Sequence, residues 1–207
     1  ANNPLVSRAL CAALLCAVLT TAAQAGLEVI GSATYDGSDY TLIYEQEQGL
    51  VWLDYSSPKA DWDAQMAWAA GLGAQLTLNI DSSLYIVTWQ EDNWRLPSAG
   101  ENPQTGGNLT CSEMGHLYYT SLGNTENNGL ENTGPFESLI ENQYRTGTED
   151  GTSAYQFNFT TGVAWKSAKR FEQYALAVRG ANVTMVPEPS MLALLAFGGL
   201  ALLKRSK

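Results

Sequence analysis

The spacing of apolar and polar positions changes period several times along this chain, and each change marks an element. In "TLIYEQEQGLVWLDY" (41–55) two runs of β-branched and aromatic residues flank the polar Glu45-Gln46-Glu47-Gln48-Gly49, a pattern that predicts a hairpin. Helical spacing follows in "KADWDAQMAWAAGLG" (59–73), where Trp62, Met66, Ala69 and Ala70 share one face. Asp61 is placed to cap this helix and Gly71 to end it. "LYIVTW" (84–89) reads as a strand, and "NWRLP" (93–97) as an extended segment closed by its proline. A second helix is predicted in "NLTCSEMGHLYYTSLGN" (108–124): Thr110 and Glu113 have capping-box spacing, Leu109 and Met114 form a hydrophobic staple, and Met114, Leu117, Tyr118 and Leu122 mark its buried face. Gly115 weakens its first turn. In "AYQFNFTTGVAW" (154–165) Tyr155, Phe157 and Phe159 alternate with polar residues before Thr161-Gly162 turns the chain, which predicts strands with one buried face. "YALAVRG" (174–180) adds a last strand with Tyr174, Leu176 and Val178 on one side. Long Gly/Asn/Thr stretches at 98–109 and 123–135 separate these elements, and binding commonly resides in such loops.

The two ends have a different character. Arg8 precedes an apolar run, Ala9 to Leu19, and "TTAAQAG" supplies small residues at Ala23 and Ala25, as signal-peptidase cleavage before Gly26 requires. At the other end, "VPEPSMLALLAFGGLALLKRSK" (186–207) holds 13 uninterrupted apolar residues, Met191 to Leu203. A membrane-spanning helix takes about 20, and Gly198-Gly199 weakens the run further. The basic tip that follows would stay cytoplasmic. The expected organisation is a signal peptide (1–25), one α+β domain of two helices, antiparallel strands and long loops (26–182), and a C-terminal signal segment (183–207).

Without residues 1–25 and 188–207 the chain loses Arg8, Lys204, Arg205, Lys207 and Glu188, leaving seven basic and twenty acidic residues, a net charge of -13. Such a surface repels nucleic-acid phosphates and excludes nucleic acid as a partner. Two of the three cysteines, Cys11 and Cys16, leave with the signal peptide. Cys111 then has no intramolecular disulfide partner.

Val186, Pro187, Glu188, Pro189 and Ser190, a short apolar helix and the Lys204-Arg205 tip resemble, in that order, the PEP-CTERM sorting signal. That resemblance implies processing by an exosortase after transient anchoring in the inner membrane, and residence at the cell surface or in an extracellular polysaccharide matrix. "GLVWLD" (49–54), the Trp62 helix, "NWRLPSAGE" (93–101), "GPFESL" (134–139), "AYQFNFTTGVAW" and "YALAVRG" together resemble the domain of unknown function at the C-terminus of collagen-like bacterial adhesins. This implies a C-type-lectin-like, formylglycine-generating-enzyme-like fold. Where that family has Tyr-Trp-Ser-Ser, this chain has Tyr144-Arg145-Thr146-Gly147, a long cation in place of a buried aromatic.

Candidate chemistry is sparse. The resemblance to formylglycine-generating enzymes implies copper held by a pair of cysteines, but only Cys111 remains, placed at the first turn of the predicted second helix, where a helix dipole favours a thiolate. His116 is the sole histidine and lies off the apolar helical face, so a zinc cluster has no ligand set and a triad has no nearby nucleophile and acid. "YDGSDY" (35–40) and "TEDGTS" (148–153) offer oxygens, and the lectin relationship leaves calcium open as a cofactor. Trp52, Trp62, Trp94 and Trp165 are expected in the core; Trp68, Trp89, Glu101 and Asn102 are the candidates for ligand contact. Arg95 and Arg179 are expected to be structural ion-pair partners. No catalytic or metal-ligating residue is assigned. The expectation is a non-catalytic binding module for polysaccharide or a surface protein, with a thiol-oxidase-like or carboxylate-based glycan-active enzyme, and a matrix protein without a ligand, as the alternatives.

Overall fold

The computed structural model describes residues 26–187; the predicted signal peptide and all but Val186 and Pro187 of the PEP-CTERM-like segment lie outside the described residues. The predicted hairpin forms from β2 (Ser38–Glu45) and β3 (Leu50–Leu53), with Glu45 opposite Leu50 and Ile43 opposite Trp52. It is the centre of a six-stranded antiparallel sheet. To one side lie β1 (Leu27–Tyr35) and β4 (Thr77–Ile80), to the other β10 (Ala177–Met185) and β5 (Tyr85–Trp89), in the order β4-β1-β2-β3-β10-β5. A second sheet, β8 (Val163–Ala168), β7 (Ser153–Asn158), β6 (Gln143–Asp150) and β9 (Tyr174–Ala175), is antiparallel except for the parallel β6–β9 pair.

The central strands are buried on both faces, which explains why "LVWL" lacks alternation. On one face, α1 (Trp62–Gln75) sets Leu72 against Ile30, Leu42, Val51 and Leu53. On the other, Ile43, Trp52 and Val178 meet Met114, Leu117 and Tyr118, together with Tyr144 and Phe157 of the second sheet. The fold is thus α+β and mostly β, with two helical segments. No helix among the described residues is long and apolar enough to cross a membrane.

Local signals held at some positions and yielded at others. Asp61 caps α1, accepting from the Ala64 N–H at 2.8 Å, but Gly71 does not end the helix. A mid-helix glycine costs about 1 kcal/mol, whereas burying a leucine returns about 1.5–3 kcal/mol. Leu72 reaches its core only if the helix continues. Trp62 and Ala69 are buried as expected, Met66 is half-buried and Ala70 is exposed.

The second helix, α2 (Glu113–His116), widens into a π-helical turn (Leu117–Ser121) and is capped by Ser112, not Thr110. The reason is that the Glu113 carboxylate is taken by Arg95 and the Ser98 N–H, so it cannot close a capping box. Cys111 consequently stands outside the helix, exposed. Met114, Leu117, Tyr118 and Leu122 are all buried, as their spacing predicts. Gly115 has a positive reason to be there: a Cβ would lie 2.1 Å from the Leu109 carbonyl oxygen.

Sequence spacing missed β1, β4 and β6. β1 shifts register between Val29 and Gly31, and β6 between Arg145 and Glu149, so neither keeps a clean alternation. In β7, Gln156 and Asn158 are buried as well as Phe157, and Tyr155 is only half-buried. The polar side of this strand is covered by a buried hydrogen-bonded layer in place of solvent. "YALAVRG" is shared between β9 and β10, with Leu176 at the crossing from one sheet to the other; Tyr174, Leu176 and Val178 do join one core. β10 keeps pairing to Met185, past residue 182, and Val186 donates to the Leu84 carbonyl at 2.8 Å.

Candidate functional site

An open groove of about 450 Å³ is lined by Met66 of α1, by Arg95, Leu96 and Ser98, by Glu113, and by Gly147 and Thr148 of β6. Its volume falls within the roughly 300–1,000 Å³ of small-molecule sites. The irregular stretch of β6 makes the groove: there Gly147 donates its N–H to Pro97 O at 2.8 Å, and the Thr148 hydroxyl accepts from the Ala99 N–H at 2.9 Å. The 97–99 segment is thereby docked along β6.

Arg95 forms one wall. Its Nη1 and Nη2 donate to the two Glu113 carboxylate oxygens at 2.8 Å each, its Nε to Glu91 at 2.9 Å, and Nη1 also to Leu96 O at 3.2 Å. Burial by itself would lower the guanidinium pKa, but the hydrogen bonds and charges of Glu113 and Glu91 outweigh it and raise the pKa above the ordinary arginine value. The Glu113 carboxylate accepts in addition from the Ser98 N–H at 2.7 Å. The expectation of a structural ion pair holds for Arg95. Arg179 differs: its Nε donates to Glu91 O at 2.9 Å and its guanidinium lies 4.3 Å from the Trp89 ring centroid.

A second polar centre surrounds Glu45, which is fully buried. It accepts from Gln48 Nε2 at 2.7 Å, Trp52 Nε1 at 2.8 Å and the Ser121 hydroxyl, and lies 2.9 Å from His116 Nδ1. Folding therefore gathers a serine, a histidine and a carboxylate that sequence spacing kept apart. The geometry is not that of a nucleophilic triad, in which acid and hydroxyl engage opposite ring nitrogens. Here Ser121 and Glu45 share the Nδ1 side and Ser121 donates to Glu45, while Nε2 faces Glu47 at 3.2 Å. The cluster ties β2 to α2.

Asp54 is buried and accepts the Glu137 and Ser138 N–H groups at 2.8 and 3.0 Å. Burial raises its pKa, and the two N–H groups partly offset this. Beside it, the Ile140 N–H donates to Tyr144 Oη at 2.8 Å, and Ser56 Oγ, 2.6 Å from the phenol, donates to Ser138 O. With its proton spent on Ser138, Ser56 must accept from Tyr144. Burial pushes the Tyr144 phenol up to about 12, and Tyr118, which donates to Thr125 O and Gly129 O, likewise. These bonds pin the "GPFESL" segment and the 123–135 loop, whose sequence alone reads as free.

Arg145 is completely buried, its Nη1 donating to Ser167 Oγ and its Nη2 to Ala168 O and Phe171 O, all at 2.8 Å. Ser167 in turn donates to Gln156 Oε1 at 2.8 Å, and Arg145 Nε has no partner. Desolvation lowers this guanidinium's pKa. The buried cation is thus accommodated by a polar cage of carbonyl and hydroxyl oxygens.

The residues proposed for ligand contact are scattered. Trp68 is half-buried against Tyr55 and the Met66/Leu96 cluster, with its indole N–H buried and unpartnered. Trp89 is half-buried against Trp94. Glu101 and Asn102 are exposed, beyond Ser98 in the same loop. The groove borders the loop that sequence singled out without using those two residues. Trp52, Trp62 and Trp94 are buried as expected; Trp165 is half-buried and belongs to none of the core clusters. In the two acidic turns, Asp39 accepts from Thr34 at 2.5 Å, while Glu149 and Asp150 pair with Lys169 and Lys166. Among the described residues no group of three or more His, Cys, Asp or Glu side chains is arranged to hold a metal ion.

No family profile, curated protein or solved structure matches the chain. A functional reading therefore rests on geometry and residue chemistry. The signal that could have found the groove is the glycine inside "RTGTE", since a glycine within a strand marks a bulge or a close backbone approach.

Proposed function

We propose that the chain is an exported, non-catalytic binding protein, released from a transient membrane anchor by an exosortase and held at the cell surface or in an extracellular matrix. Its domain would be C-type-lectin-like and recognise polysaccharide or another surface protein. The observation that carries the reading is the groove whose polar walls are immobilised by the scaffold, Glu113 by Arg95 and the Ser98 N–H, Thr148 by the Ala99 N–H. A preformed surface loses little conformational entropy on binding. The terminal segments support the location: paired backbone extends to Met185, and Val186-Pro187-Glu188-Pro189-Ser190 follows it directly.

Mass spectrometry of the protein from its native host, with pull-down on the producer's own polysaccharide and surface fraction, tests the reading. Expected are a mature start at Gly26, loss of the Met191–Leu203 run, and saturable capture of one of the two materials. A released protein that keeps Leu203 and Lys207 would sink the sorting half. A protein that saturates neither material would sink the binding half.

A further inference from the structure

We infer that the groove between α1, the 95–98 segment and β6 binds an uncharged, hydroxyl-rich saccharide chain, laid across Met66 and Gly147. This rests on the proposed binding role and narrows it to one site and one ligand class.

Charge supplies the first argument. Arg95 is the only cation in the groove's lining, and its two terminal nitrogens and Nε already serve Glu113, Glu91 and Leu96 O. Four of its five N–H groups are therefore occupied, and two carboxylates flank one guanidinium. A uronate or sulfate would meet no free cation there and would face the negative field of the whole domain.

Hydrogen-bonding capacity supplies the second. Ser98 Oγ accepts the Gly100 N–H at 3.0 Å and Thr148 Oγ accepts the Ala99 N–H at 2.9 Å. These bonds fix both oxygens yet leave both hydroxyl protons to be donated outward. Glu113 Oε1 receives one bond, from Arg95, so a lone pair stays open on it. The wall thus offers two positioned donors and a charged acceptor, matching hydroxyl groups that both donate and accept. The floor is apolar, with the half-exposed Met66 thioether offered to the C–H face of a sugar ring and the buried Leu96 supporting it from beneath.

Gly147 keeps that floor flat. A Cβ there would meet Leu96 O at 3.4 Å, Leu96 Cβ at 3.5 Å and Met66 Sδ at 3.7 Å, ordinary contacts that leave the fold undisturbed. A side chain at 147 therefore fills the groove without breaking the protein.

The test is affinity measurement of the folded protein against uncharged hexasaccharides (gluco-, manno- and galacto-configured), a polyuronate hexamer as the charged counterpart, and the host's surface-protein fraction. Binding of at least one neutral hexamer is expected, weakened roughly tenfold or more by Gly147→Val, weakened by Thr148→Val and restored by Thr148→Ser, which keeps the hydroxyl. Should Gly147→Val unfold, Gly147→Ala carries the same comparison. Neutral binding that ignores the substitutions at 147 and 148 overturns the groove and leaves the binding role standing. Preference for the polyuronate, or capture of a surface protein alone, overturns the ligand class and again leaves that role. Absence of any saturable binding overturns both.

Discussion

Arg95 and Arg145 hold their charges in opposite ways. Arg95, one third exposed at the groove, is held by two carboxylates, and its proton is bound more tightly than in water. Arg145, wholly enclosed, is held by carbonyl and hydroxyl dipoles, and its proton is bound less tightly. An ion pair cancels charge but needs partners that must themselves be desolvated. A dipole cage leaves the charge uncancelled and depends entirely on geometry. The difference teaches that the first arginine can be adjusted piecemeal, whereas the second is fixed with the backbone around it.

The largest effect is expected from Arg145→Ala. Removing the guanidinium opens a cavity and strands the Ser167, Ala168 and Phe171 oxygens, each worth about 1–3 kcal/mol when buried unpaired. A loss of about 3–5 kcal/mol in denaturant unfolding is expected, and Arg145→Lys should recover little, because one ammonium cannot reproduce a planar fork. A loss under about 1 kcal/mol would mean that the cage does not hold the second sheet together.

Arg95→Ala comes next, at about 1–3 kcal/mol, since Glu91 and Glu113 regain part of their hydration once released. A double-mutant cycle with Glu113→Gln should show coupling between the two sites. The same cycle between Arg145 and Asp61, whose charge reaches the guanidinium through space without a hydrogen bond, should show weaker coupling.

Alkaline titration probes the neighbour of Arg145 on β6. Tyr144 and Tyr118 are pushed up to about 12 in the fold, against an ordinary value of about 10. Their phenols favour the fold while protonated, so that this contribution is complete below about pH 10 and is lost as pH rises toward 12. Phenolate absorbance should reveal two tyrosines ionising last, together with unfolding. Tyr144→Phe should remove one of these late steps. It should also cost about 1 kcal/mol at neutral pH, chiefly for the stranded Ile140 N–H, since Ser56 loses a donor but still donates to Ser138 O. The smallest effect concerns salt. Raising ionic strength from 0.1 to 1 M shortens the screening length from about 10 to 3 Å, so melting of an Arg95-intact protein should fall by no more than a degree or two beyond that of Arg95→Ala.

What was legible in the sequence was what neighbouring residues decide. Asp61 before Trp62, the polar turn between β2 and β3, and Thr161-Gly162 before β8 each carry their own signal within a few positions. Glu91, four residues before Arg95, could be paired with it by eye; Glu113, eighteen residues later, could not. The groove unites four separate segments, and Arg145 sits in a strand whose broken register hides its period. The capping box misled because Glu113 satisfies a distant arginine in preference to the nearby backbone. Competition of this kind is decided in three dimensions.

One strand also has a mechanical meaning. β10 pairs with β3 over Ala177–Gly180 and then with β5 over Ala181–Met185, and a single residue, Leu176, links it to β9 in the other sheet. Hydrogen bonds between antiparallel strands run perpendicular to the chain. Tension drawn from the C-terminal side would therefore load both ladders in shear, all bonds together instead of one after another. A protein tugged from that end would yield late and abruptly, and the force would pass through Leu176 into the smaller sheet before either layer came apart.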